Sequence, residues 1–151
     1  MLSSASSKMT EEAAECSCVV DTSGLHAIAI ASGNLQSVLF EKLKCGLIGV
    51  PACAWQEFGE LYEEEAAILE HQIGNKIVMK KSTYVGAARI ADKLNSGFPR
   101  GAYDNHTELY TAAIALNNGY RVLTSSDQVS QYAGMNCEVV DVETWVGELE
   151  D

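Results

Sequence analysis

The stretch that decides the fold is "TELYTAAIALNNGYRVLTSSDQ", residues 107–128. Its first half shows the spacing of a helix with one apolar face, formed by Leu109, Ala112, Ala113 and Leu116. The small alanines allow this face to pack closely on a sheet. The two asparagines and the glycine at 117–119 end the helix, and the apolar run at 120–126 predicts a strand. A helix that leads into a short buried strand is typical of a parallel α/β sheet.

Three more short strands are predicted outward from this stretch. They lie at "CSCVV", which ends at Asp21, and at 47–52 and 137–142. Helices are predicted between them at 25–33, 34–46, 53–74 (one helix or a pair) and 82–97, and a loop or short helix at 127–135. Strands that alternate with helices imply crossover connections. The predicted fold class is therefore a three-layer α/β fold, in which helices cover both faces of a central parallel sheet of four or five strands.

The amino-terminal segment differs in composition from the rest. Residues 1–15 are polar, lack the apolar centre of a secretory signal, and are predicted to be a disordered lead. Residues 16–151 show no repeat and no linker and are predicted to form a single domain. No apolar run approaches the roughly 20 residues that a membrane helix needs. The odd number of cysteines, five, favours reduced thiols and a cytoplasmic protein.

The charge is strongly negative but unevenly distributed. A net charge of −11 argues against a broad basic surface for nucleic acid. However, the basic residues are concentrated between positions 76 and 100, where Arg89 and Lys93 lie one helical turn apart. A cationic pair on one helix face is either a solvated surface or a grip for a phosphate backbone.

Acidic residues stand where the predicted strands and helices meet one edge of the sheet. Asp21 follows the first strand and Asp127 follows the third. Glu57 lies near the start of the helix after the second strand, and either Asp104 or Glu108 lies at the start of the helix that leads into the third. In a parallel sheet these positions all belong to the carboxyl edge, where ligands bind. Four acids from distant segments are thus predicted to converge.

Converging carboxylates repel one another unless a cation neutralises them. Oxygen ligands of this type suit hard divalent ions, and Mg²⁺ or Mn²⁺ is the predicted cofactor. Such ions activate water in phosphodiester cleavage. The alternative for any single acid is a helix cap or a surface charge.

The order of these motifs resembles the PIN domain, a metal-dependent ribonuclease fold that also occurs in toxins of toxin–antitoxin pairs. "VVDTSGL" (19–25) resembles its first strand, "VPACAWQEF" (50–58) its second strand and following helix, and 107–128 its long closing signature. The resemblance extends from about Val19 to Val142. It implies cleavage of single-stranded RNA by a metal-activated water, with RNA, an antitoxin protein and a second copy of the chain as candidate partners.

The resemblance also assigns residues. Asp21, Glu108 and Asp127 would hold the metal, Glu57 would assist directly or through water, and Ser23 and Ser125 would bond carboxylates or a phosphate. Arg89 and Lys93 would contact the RNA backbone.

Two positions depart from the family. Glu108 stands where the family usually has aspartate, with Asp104 as an alternative one turn earlier. The Thr-x-Asp motif of the family corresponds here to Ser125-Ser126-Asp127, or it begins at Thr124 with one residue inserted.

Two rival functions fit the same sequence. A degenerate PIN-like domain would bind a protein or RNA without cleaving, which the acidic balance and Glu108 favour. The other rival is a phosphoryl-accepting receiver or phosphatase-like domain built around Asp21. Against it, this sequence has no paired acid after the first strand, and such folds have no reason to carry the closing signature.

Overall fold

A parallel sheet of five short strands forms the centre of the protein. The structure is a computed structural model, and it describes residues 15–95 and 106–150. The strands are β1 (Cys18–Val20), β2 (Ile48–Pro51), β3 (Lys76–Ile77), β4 (Arg121–Thr124) and β5 (Val139–Asp141). They lie in the order β3-β2-β1-β4-β5, and every neighbouring pair is parallel. All their carboxyl ends therefore lie at one edge, as the sequence predicted.

Eight α-helices connect or follow these strands in the described part of the chain. They are α1 (Thr22–Ile30), α2 (Gly33–Lys44), α3 (Ala52–Leu61), α4 (Glu63–Leu69), α5 (Lys81–Asn95), α6 (His106–Asn118), α7 (Val129–Ala133) and α8 (Val142–Glu150). Short 3₁₀ turns at Glu70–Gln72 and Ser126–Gln128 follow α4 and precede α7.

The core has two parts, one on each face of the sheet. Alternation along β1 directs Cys18 and Val20 to one face and Val19 to the other, as the two-residue period of a strand requires. Helices α1 to α4 and α8 pack on the first face, and α5, α6 and α7 on the second. This confirms the predicted three-layer α/β fold.

Three local predictions need correction, and one alternative that the sequence left open, a single helix or a pair at 53–74, is decided. Helix α1 begins at Thr22, three residues earlier than predicted, because Asp21 caps it through the backbone N–H of Gly24. The 53–74 segment is a pair of helices that divides at Tyr62, where φ is −136° and ψ is 68°. Strand β3 was not predicted; it has only two residues, too few for a pattern. Leu116 is 45% exposed, because α6 buries the neighbouring Ala115 instead.

Two further properties bear on the sequence predictions. Among residues 15–95 and 106–150, none of the helices combines the length and the apolar composition that a membrane span requires. All five cysteines are free thiols. Apart from Glu15, the predicted polar lead lies outside the described residues.

Candidate active site

Asp21 is the most buried acid at the carboxyl edge of the sheet among the described residues. It directly follows β1, caps α1, and its surface is 1% exposed. Its Oδ1 accepts a hydrogen bond from the backbone N–H of Gly24 (2.7 Å). Its Oδ2 accepts two more, from Oγ1 of Thr124 (2.9 Å) and from the hydroxyl of Tyr132 (2.8 Å). Three donors from three elements thus fix the position of this carboxyl group.

The electrostatic environment of Asp21 reflects a competition. Burial raises the pKa of its carboxyl group above the usual aspartate range, because desolvation penalises the charged form. The bonds from Gly24, Tyr132 and Thr124 act in the opposite direction, since each favours the carboxylate. Burial has the larger effect, so this acid holds its proton to a higher pH than an exposed aspartate.

A cleft of about 150 Å³ opens beside Asp21. Three acids from separate segments of the chain line it: Asp21, Glu57 and Glu108. Its other lining residues are Thr22, Ser23, Leu61, Tyr62 and Thr107. The structure therefore brings together three of the four acids that the sequence placed at this edge, along with Ser23.

Glu57 and Glu108 are both half-buried and both hydrogen-bonded. Glu57 lies on α3, and its Oε1 accepts a bond from Oγ1 of Thr22 (2.5 Å), the first residue of α1. Glu108 lies in the first turn of α6, and its Oε1 accepts a bond from Nε2 of Gln131 (2.9 Å) on α7. The bond between Thr22 and Glu57 connects two walls of the cleft, and the bond between Glu108 and Gln131 connects the cleft to α7.

Asp127 is not among the residues that line this cleft. It is exposed in the 3₁₀ turn after β4, and its Oδ1 accepts a hydrogen bond from Oγ of Ser125 (2.6 Å). That bond lowers the pKa of the Asp127 carboxyl group. The hydroxyl group of Ser125 donates to Asp127, whereas that of Thr124 donates to Asp21. The hydroxyl group of Thr124 therefore connects the closing signature to the residue that follows the first strand. Asp104, the alternative to Glu108, lies outside the described residues.

Arg89 and Lys93 line a different and larger groove, of about 550 Å³. It lies between α5, α6 and the turn before β5, with Ile90, Leu94 and Met135 among its apolar residues. This groove and the acidic cleft have no lining residue in common. The two basic side chains are thus grouped as the sequence suggested, but on a separate surface.

Tyr132 was not identified from the sequence. It lies on α7, a helix of only five residues, and its side chain is fully buried. A large aromatic residue within the polar run "SDQVSQYAG" was the available signal. A second aromatic residue at the cleft, Tyr62, stacks on His26 with ring centroids 4.1 Å apart.

The donor set can be tested against a divalent cation. Carboxylate and hydroxyl oxygens line the cleft, and these are the ligands that Mg²⁺ and Mn²⁺ prefer, so the chemistry fits. In their present positions, no three His, Cys, Asp or Glu side chains of the described residues form a group that could hold a metal ion. The hydrogen bonds from Thr22 and Gln131 each use only Oε1 of Glu57 and Glu108, so the second oxygen of each carboxylate is not used by these bonds.

Comparison with known proteins supports the fold. No protein-family model matches the sequence, and no curated protein matches it. Among solved structures, DNA-bound VapBC from Salmonella typhimurium is similar, with a TM-score of 0.65 and 14% identity over 85% of this chain and 99% of that chain. PAE2754 from Pyrobaculum aerophilum has a TM-score of 0.58 and 15% identity, over 89% and 96% of the two chains. VapBC2 from Rickettsia felis, bound to a promoter DNA fragment, has a TM-score of 0.60 and 11% identity, over 82% and 97%. These similarities confirm the PIN-like fold predicted from the sequence.

Proposed function

We propose that this protein is a divalent-metal-dependent endoribonuclease that cleaves single-stranded RNA at the acidic cleft. The observation that carries the proposal is that Asp21, Glu57 and Glu108, from three distant segments, line one cleft at the carboxyl edge of a PIN-like sheet. Carboxylates gathered in this way offer negatively charged oxygen ligands, and a divalent cation bound among them would neutralise their charge. Phosphodiester hydrolysis is the chemistry that such oxygen-rich sites support.

Each residue of the cleft has a role in the proposal. Asp21, Glu57 and Glu108 hold Mg²⁺ or Mn²⁺, which when bound supplies the positive charge that activates water and neutralises the scissile phosphate. Ser23 and Thr107 offer hydroxyl groups on the cleft wall to the phosphate oxygens. Asp127 is given no part in holding the ion, because it does not line the cleft.

The partners follow from the same proposal. Arg89 and Lys93 contact the RNA backbone outside the cleft, since they form the cationic part of a groove in an otherwise acidic chain. A toxin-type nuclease of this kind acts in the cytoplasm, pairs with an antitoxin protein and forms a homodimer. The similarity of fold to VapBC and to FitAB, which was solved with a DNA fragment, supports the proposed antitoxin partner, whereas the cytoplasmic location and the homodimer rest on the sequence alone.

A second candidate function has its own supporting observation. Asp127 is exposed, and the described acids do not form a ready metal-binding group. A domain of the same fold that binds a protein or RNA without cleaving it is consistent with both facts. The two candidates differ in whether the cleft binds a divalent ion.

Calorimetric titration with Mn²⁺ and an RNA cleavage assay distinguish them. The nuclease proposal predicts that wild type binds Mn²⁺ and cleaves a mixed single-stranded RNA pool. It also predicts that Asp21→Asn, Glu57→Gln and Glu108→Gln each lose more affinity than the roughly 10–100-fold that loss of an outer-shell partner costs. Asp104→Asn, titrated separately, tests the alternative to Glu108.

Two matched changes serve as controls. Asp127→Asn removes an acid outside the cleft, and Glu143→Gln removes an exposed acid in the first turn of α8; both should keep Mn²⁺ binding. Absence of Mn²⁺ binding and of cleavage by wild type would contradict the nuclease proposal and favour the binding module. Loss of binding in Asp127→Asn would show that this acid reaches the ion.

A further inference from the structure

We infer that Tyr132 is a positioning residue for the cleft: its hydroxyl and that of Thr124 together occupy Oδ2 of Asp21 and leave Oδ1 as the oxygen that this carboxylate offers to a cation. The inference rests on the proposed function, because it concerns how one proposed metal ligand is held. Tyr132 lies 111 residues from Asp21 in sequence and donates to it over 2.8 Å.

The carboxylate of Asp21 has more acceptor positions than it has hydrogen bonds. A carboxylate has about four acceptor positions, two on each oxygen. Thr124 and Tyr132 fill both positions on Oδ2, while Oδ1 accepts from Gly24 alone among the hydrogen bonds of the described residues. One position on Oδ1 therefore remains, and the carboxylate cannot rotate to offer Oδ2 without breaking two hydrogen bonds.

Tyr132 is well placed to hold this arrangement. Its side chain is fully buried in the second core face, which also contains Val19 and Met135. Its carbonyl accepts backbone hydrogen bonds from Met135 (2.9 Å) and Cys137 (3.1 Å), which fix the end of α7. The hydroxyl group is therefore delivered to Asp21 by a rigid support, as positioning requires.

Packing alone does not account for the hydroxyl group. A phenylalanine would fill the same volume without placing a polar atom in the core, where it needs a partner. The partner is a carboxylate that Thr124 already bonds through the same oxygen. Burial of the aromatic ring does not require this second hydrogen bond. Two hydroxyl groups that donate to the same oxygen do, however, fix the orientation of the carboxylate.

Removing single hydroxyl groups tests the inference through Mn²⁺ affinity, measured by calorimetry on the full chain. Tyr132→Phe keeps the ring, and Thr124→Val keeps the shape of the other donor. Each is expected to weaken Mn²⁺ binding by roughly 10–100-fold, the usual cost of losing an outer-shell partner. Circular dichroism checks that each variant is folded. If Tyr132→Phe does not fold, Thr124→Val alone tests the inference.

Two controls separate positioning from a general loss of stability. Tyr120→Phe removes the same atom from a half-buried tyrosine just before β4, at the opposite end of that strand. Met135→Ala weakens the core that surrounds Tyr132 but touches no atom of the cleft. Both are expected to leave the Mn²⁺ dissociation constant unchanged.

The other possible results contradict either the inference about Tyr132 alone or the proposed function as well. Tight binding by wild type that Tyr132→Phe and Thr124→Val leave unaltered would overturn the inference and spare the proposed function. An equal loss of affinity in Met135→Ala would reduce Tyr132 to a structural residue and overturn the inference as well. Wild type that binds no Mn²⁺ would overturn both.

Discussion

Oγ1 of Thr124 donates a 2.9 Å hydrogen bond to Oδ2 of Asp21 and so connects residues that are 103 positions apart. The bond follows from the register of the sheet. Val20 in β1 lies opposite Leu123 in β4, so the next residue of each strand emerges at the same edge. The backbone N–H of Asp21 also donates to the carbonyl of Leu123 (3.3 Å). The closing signature and the first strand thus form one site.

Asp21→Asn is expected to raise the melting temperature at neutral pH. Burial raises the pKa of Asp21, so the wild-type fold is favoured by protonation of this group. That contribution is fully present below the ordinary aspartate pKa and is lost as pH rises through the raised pKa of the folded state. Asparagine carries no charge, and the hydroxyl groups of Thr124 and Tyr132 can turn to accept from its amide.

Thermal unfolding followed by circular dichroism across a series of pH values measures this effect. A gain of about 1 kcal/mol would appear as roughly 2–4 °C in a chain of this size. The gain should shrink towards acid pH, and Asp92→Asn, a change of an exposed aspartate on α5, should show no such trend. An Asp21→Asn variant that becomes less stable than wild type as pH rises would mean that the three hydrogen bonds outweigh burial.

Gly24→Ala is expected to destabilise both the fold and the cleft. A Cβ atom at this position would lie 2.5 Å from Cγ2 of Val20 and 2.6 Å from the carbonyl oxygen of Leu123. Overpacking of this type costs about 1–3 kcal/mol, and it would also displace the backbone N–H that bonds Asp21. The midpoint of urea unfolding should fall accordingly.

Gly59→Ala provides the matched control for this change. Gly59 lies on α3, and apart from its chain neighbours and the nearby backbone of its own helix, no described atom comes within 4 Å of a Cβ built there. Alanine should therefore stabilise this helix by up to about 1 kcal/mol. Equal midpoints for the two variants would mean that α1 can move away from β1 and β4 at little cost.

Arg89→Ala and Lys93→Ala are expected to weaken RNA binding uniformly across sequences. Each side chain is proposed to neutralise a phosphate, so each change should reduce the slope of log affinity against log salt concentration by about 1. Fluorescence anisotropy with a labelled single-stranded RNA at several salt concentrations measures this slope. Lys44→Ala, an exposed change at the end of α2, is the control. An unchanged slope in both variants would show that RNA does not contact the groove between α5 and α6.

Local patterns in the sequence were sufficient for the architecture. Apolar runs of strand length alternate with helical spacing, which implied the parallel sheet and its covering helices before any contact was known. The ends of two predicted strands placed Asp21 and Asp127 at the carboxyl edge, because parallel strands share the direction of their carboxyl ends. The starts of two predicted helices placed Glu57 and either Asp104 or Glu108 at the same edge. The structure places Asp21, Glu57 and Glu108 on the cleft.

Only the tertiary structure decided which polar groups meet there. Asp127 follows β4 as Asp21 follows β1, but Ser125 leaves the strand and bonds Asp127 in a 3₁₀ turn outside the cleft. Tyr132 reaches Asp21 from a five-residue helix that has no periodic pattern of its own. Sequence spacing fixes the edge at which a residue emerges. The direction of its side chain depends on turn geometry and packing between distant segments, which no local pattern encodes.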